Sequence, residues 1–67
     1  MIQKIAQHYL EAIEQLRDLF KEFKVSDDYY HASHVCWILY HLTLANEWKQ
    51  DAIEYWNKAK EQSDEQD

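Results

Sequence analysis

Apolar residues return every three or four positions along the first third of the chain: Ile2, Ile5, Tyr9, Ala12/Ile13, Leu16, Leu19/Phe20 and Phe23. That spacing lays one apolar stripe on a helix and predicts a helix over about residues 2–24. Lys4, Glu11, Glu14, Arg17, Asp18, Lys21 and Glu22 fall on the other side, with both signs interleaved as on a solvated face. The pattern breaks at Val25-Ser26-Asp27-Asp28. Ser26 is the expected N-cap of the next helix, with Asp27 and Asp28 in its first turn, where the helix dipole favours acids. Val25 is placed to staple against Tyr30.

From Tyr29 to Asn46 no Asp, Glu, Lys or Arg occurs, although both flanks are densely charged. A second helix is expected over about residues 27–45, and the rest of the molecule must cover it. A third is expected over about 47–62, because Trp48, Ala52, Tyr55 and Ala59 form a stripe out of phase with the one before it. A continuous rod, which would turn the molecule into a two-helix hairpin, is the alternative. Its support is the seam of Val35, Ile38, Leu42, Ala45, Ala52, Trp56 and Ala59, interrupted only by Lys49. Residues 1–62 thus form one helical domain, and residues 63–67 an acidic disordered tail. There is no Gly and no Pro, so turns with positive φ fall to Asn or Asp and tight hairpins are disfavoured. The fold class is all-α: a small antiparallel three-helix bundle or helical hairpin.

Size sharpens this. A domain below about 70–80 residues usually needs a disulfide, a metal or a second subunit to be stable. Cys36 is the only cysteine, so no disulfide forms within the chain. Flanked by Val35, Trp37 and Ile38, it reads as a buried, inert thiol in a reducing compartment. Homodimerisation through the second helix, by Val35, Ile38 and Leu42, is therefore the expected completion.

Charge excludes other partners. The net charge of −6 opposes binding to phosphate backbones and to anionic membrane surfaces. The uncharged run is about the length of a membrane span, but His31, Ser33, His34, His41, Thr43 and Asn46 interrupt it. No signal peptide is recognisable, and a cytoplasmic location is expected.

Candidate chemistry is sparse. Asp27, His31 and His34 share one side of the second helix and are the candidates for a metal site. His41 lies two turns beyond His34, about 10 Å along the axis and too far for the same ion. Charging of these histidines near pH 6 would instead make a pH sensor. Cys36 has His34 and His41 at i−2 and i+5, which point away from it, so no catalytic residue and no cofactor are predicted. The acids are interrupted by Lys4, Arg17, Lys21, Lys24, Lys49, Lys58 and Lys60, which weakens a third reading as an acidic decoy of a nucleic-acid-binding protein.

The aromatic content points elsewhere, to three Trp, five Tyr and two Phe in 67 residues. Trp and Tyr are enriched at protein interfaces. Trp37, Tyr40, Leu44, Trp48 and Trp56 are accordingly the expected partner-binding residues of a small acidic inhibitor, adaptor or chaperone-like subunit. Asn46-Glu47-Trp48 followed by Asp51-Ala52-Ile53-Glu54-Tyr55-Trp56-Asn57-Lys58-Ala59 also resembles the second helix of a tetratricopeptide repeat. Leu39 stands where that motif has a small residue, and the spacing after Trp48 is one residue longer. The resemblance implies a helical hairpin used for protein binding. The tetrad Glu11-Ala12-Ile13-Glu14 is echoed by Asp51-Ala52-Ile53-Glu54.

Overall fold

The computed structural model describes residues 2–65 and is helical apart from two short turns: α1 (Ile2–Val25), α2 (Tyr29–Thr43) and α3 (Asn46–Glu65). Helices two and three are therefore separate. α3 runs through Glu65, so residues 63–65 of the expected tail are helical, while residues 66 and 67 lie outside the described residues.

The first turn is built differently from the sequence expectation. Asp27 adopts φ 58°, its N–H donates to the Lys24 carbonyl, and the Asp28 N–H donates to the Phe23 carbonyl. This pair of bonds is a Schellman closure of α1, with Asp in the left-handed position that glycine usually takes. Ser26 belongs to that closure, since its Oγ donates to the Glu22 carbonyl at 2.9 Å. The N-cap of α2 is consequently Asp28, whose carboxylate accepts from the His31 amide. Val25 is 87% exposed, so the expected staple onto Tyr30 does not form.

The second turn carries a less common solution. Leu44 takes φ 59°, ψ 18°, and its N–H donates to the Tyr40 carbonyl at 2.6 Å. Thr43 helps close it, its Oγ1 donating to Leu39 and accepting from the Ala45 amide. A leucine in the left-handed region is uncommon, because its Cβ crowds the following carbonyl.

Short turns make neighbours antiparallel. Tyr9 donates to the Leu42 carbonyl and Phe23 stacks on His31, so α1 and α2 run in opposite directions. Tyr29 stacks on Tyr55 and Lys49 lies over Tyr40, which sets α3 antiparallel to α2. α2 is the central element. No Cα of α1 comes within 8 Å of one in α3 among the described residues. Those two helices meet through side chains, principally Phe20 against Trp48 and Tyr55.

The core is small and includes several short side chains: Phe20, Ala32, Val35, Cys36, Leu39 and Ala52, ringed by Ile13, Leu16, Phe23, Trp37, Trp48 and Tyr55. Ala32, Ser33, Cys36 and Ala52 are fully buried, and they let α3 approach α2 closely. The Ser33 hydroxyl is satisfied by the Tyr30 carbonyl, so no buried side-chain polar atom is unpaired among the described residues. The tetrad echo is not structural: Ala52 is buried and Ile53 exposed, whereas Ala12 is exposed and Ile13 is half-buried.

The outer helices are staggered. α3 begins beside Ile13 and Arg17, and its Gln62 reaches the Asp27 carbonyl at the far end. The amino-terminal turns of α1 therefore overhang one end of α2, and the last turn of α3 overhangs the other. The molecule measures 52 × 21 × 13 Å. None of its described helices is long and apolar enough to cross a membrane.

Candidate functional site

α2 presents two aromatic groups toward the face it shares with α3. Near its start, Tyr30 packs on His34 with ring centroids 4.5 Å apart, and both lean on Trp56 of α3. Near its end, Trp37 sits edge-on to Tyr40 and stacks on His41 at 6.4 Å. Between these groups lies a groove of about 330 Å³ lined by His34, Trp37, Ile53 and Trp56. It adjoins a smaller hollow of about 200 Å³ bounded by Tyr30, Trp56, Ala59, Lys60 and Ser63, with Trp56 as the shared wall.

Helix periodicity explains the arrangement. Lys49, Ile53, Trp56 and Lys60 recur at four, three and four residues, so they form one ridge of α3. Ala52, Tyr55 and Ala59 form the adjacent ridge that packs inward. Ile53 is left 46% exposed and Trp56 37% exposed. Lys60 lies over the Trp56 ring at 5.8 Å, and Lys49 over Tyr40 at 5.9 Å. Among the described residues no acid lines either hollow, although the chain carries a net charge of −6. A larger depression of about 440 Å³ at Lys21, Glu22, Val25 and Ser26 is an open surface over the first turn with no such wall.

The five expected partner-binding residues are divided by this geometry. Trp37 and Trp56 wall the groove, and Tyr40 supports Trp37 from the side. Leu44 stands apart on the second turn, 75% exposed. Trp48 points to the opposite side of α3, edge-on to Phe20 at 5.6 Å, and lines a surface with Ile13 and Arg17. Of the expected self-association residues, Val35 is buried within the chain, leaving Ile38 and Leu42 at the surface. Ile53 and His34 complete the groove, and Tyr30 lines the adjoining hollow. Ile53 was legible as an apolar residue three positions before Trp56, but it stands among Gln50, Asp51, Glu54 and Asn57 and gives no stripe of its own.

The histidines have separate partners. His31 Nδ1 is 2.7 Å from the Asp28 carboxylate, while Asp27 accepts from the Tyr29 hydroxyl. His34 faces Tyr30 and Trp56 instead. No three His, Cys, Asp or Glu side chains are grouped to hold a metal among the described residues. Cys36 is fully buried, and that burial, reinforced by the negative charge of Asp51, pushes its thiol up to about 12. A buried thiol held neutral is a poor nucleophile at neutral pH. The Tyr29 phenol is raised by the hydrogen bond it donates to Asp27, and Tyr55 by burial beside Glu54 and Asp51. Neither change supplies a base or nucleophile to the groove.

No protein-family model, curated protein or solved structure matches this chain.

Proposed function

We propose that this chain is a small non-catalytic binding protein that sequesters a larger protein by taking an apolar segment of it between Trp37 and Trp56. The observation that carries the reading is the groove itself: Trp56 and Ile53 left open to solvent beside a half-buried Trp37, in a chain whose core is short of large side chains. Tryptophans are among the commonest anchors of protein interfaces. A volume of about 330 Å³ lies at the lower end of the range of binding pockets, roughly 300–1,000 Å³. That suits one or two inserted side chains. An inhibitor, adaptor or chaperone-like subunit acts in this way without chemistry of its own.

Homodimerisation belongs to the same reading, since a chain this small and this open gains stability from a second copy. The test of the groove is capture from host lysate with tagged wild type and with Trp37→Ala/Trp56→Ala, both shown to be helical by circular dichroism. One stoichiometric protein lost from the double variant supports the reading. Equal recovery on both contradicts it.

A further inference from the structure

The groove lies between two helix ridges, and their chemistry says what it takes. Tyr30, His34, Ile38 and His41 recur at four, four and three residues, so they form one ridge of α2, and all four are exposed. Lys49, Ile53, Trp56 and Lys60, also exposed, form the facing ridge of α3. The rings of Tyr30 and His34 lean on Trp56 toward one end, and Lys49 lies over Tyr40 toward the other. A furrow therefore follows the two helices, with the space between Trp37 and Trp56 in its middle.

Backbone chemistry decides the shape of the occupant. Every described element is a helix, so among the described residues no strand edge is open to pair with an extended segment. Such a segment would take its amides out of water and find no partners for them, whereas a helix satisfies its own. Charge decides the rest. The only formal charges on the two ridges are Lys49 and Lys60, about 16 Å apart along the axis of α3. By helical spacing Lys49 has Ala45, Asn46, Ala52 and Ile53 as neighbours and no acid, while Lys60 has Trp56, Asn57, Ser63 and Asp64. Glu47, Glu54 and Glu61 lie on the outer side of α3, and screening over about 8 Å at physiological salt leaves the lysines to set the local sign. A two-fold contact of this face with itself would set lysine ridge against lysine ridge, which disfavours a second copy.

We infer that the occupant is an amphipathic helix of an unlike protein, apolar where it meets Ile53 and Trp56 and carrying Asp or Glu at both ends, about three turns apart, opposite Lys49 and Lys60. This rests on the docking reading above and names the segment that docks. The apolar side chains carry the affinity. The two acid–lysine pairs lie at the rim, where they select the segment and its register and change the affinity only a few-fold with salt.

A displayed library of random peptides about 20 residues long, selected on the full chain, tests it. The enriched peptides are expected to repeat apolar residues every three or four positions and to carry Asp or Glu toward both ends. Ile53→Gln, at an exposed position that should keep its helicity, is expected to weaken a synthetic copy of the best peptide at least about ten-fold. Lys49→Glu should weaken it about three- to ten-fold, and Lys in place of the facing peptide acid should restore it. Peptides that need Ile53 but show no preference for acids, or bind Lys49→Glu as well as wild type, would overturn this inference alone. A wild-type dimer in sedimentation equilibrium that Ile53→Gln splits would make the occupant a second copy and overturn it too. No enrichment, or peptides indifferent to Ile53→Gln, would overturn the docking reading with it.

Discussion

The Phe20 ring meets the Trp48 indole edge-on, with centroids 5.6 Å apart, and the same ring meets Tyr55 at 5.5 Å. These contacts join α1 to α3, whose backbones stay apart. Lys24 closes over the Phe20 ring at 4.5 Å from the solvent side. One phenylalanine thus holds the two outer helices to the core. Its truncation removes about 3–5 kcal/mol, while a domain of this length has only roughly 3–10 kcal/mol in all. Phe20→Ala is expected to lose most of its cooperative thermal transition, read by circular dichroism at 222 nm.

The tryptophans of α3 separate structure from binding. Trp48→Ala should lower the melting midpoint sharply, because Trp48 packs on Phe20. Trp56→Ala should lower it much less, since Trp56 faces the groove and keeps more of its surface in water. Thermal melts of the two variants side by side check this. Equal losses would show that Trp56 is a core residue and remove the basis for a docking role.

Leu44 is a lever on stability with little packing attached. The left-handed conformation costs a non-glycine residue about 1–2 kcal/mol, and its side chain is mostly exposed. Leu44→Gly is expected to gain about 1 kcal/mol, which for a domain of this size raises the midpoint by about 4–8 °C. Leu44→Val, β-branched at the same φ, should lower it.

Cys36 sets the alkaline limit. Its thiol stays protonated in the folded chain up to about 12, but ionises near its ordinary value of 9.0 once unfolded. Between those limits the unfolded state holds fewer protons than the folded one, so stability falls as pH rises and the full contribution is present below pH 9. The slope from this group approaches about 1.4 kcal/mol per pH unit. Tyr29 and Tyr55 are raised in the same sense and steepen the loss at still higher pH. Urea midpoints measured from pH 7 upward should decline from about pH 9, and less steeply in Cys36→Ala.

Much of the architecture was legible because helical periodicity is a local property. The α1 stripe from Ile2 to Phe23 and the phase shift at Trp48 are enough to place three helices. The ends were less legible. Ser26 and Asp28 are both good caps, and the choice between them follows from the Schellman turn at Asp27; the lack of glycine assigns positive φ to Asn or Asp but does not say at which position. Leu44 is harder still, because nothing in a leucine foretells a left-handed residue. Which aromatics meet depends on helix rotation: Trp48 and Trp56 lie on one helix, yet one joins the core and the other the groove. The stagger that uncovers Ile2 and Ile5 comes from the relative lengths of α1 and α2, a tertiary property that a search for stripes does not weigh.

Salt distinguishes an aromatic interface from an acidic one. A complex anchored by Trp37 and Trp56 should lose little affinity between low and near-molar salt, whereas a decoy presenting carboxylates would weaken steeply as the Debye length falls from about 30 Å to 3 Å. Titration of the captured partner at both salt levels reads this directly.

The groove itself is reached most directly by a photo-crosslinking amino acid at position 53, on its floor, with the same residue at position 21 on the outer face of α1 as reference. Irradiation in host lysate should join position 53 to one protein and leave position 21 without that product. Crosslinking of the same protein from position 21, or from neither position, would contradict a docking role for the groove between Trp37 and Trp56.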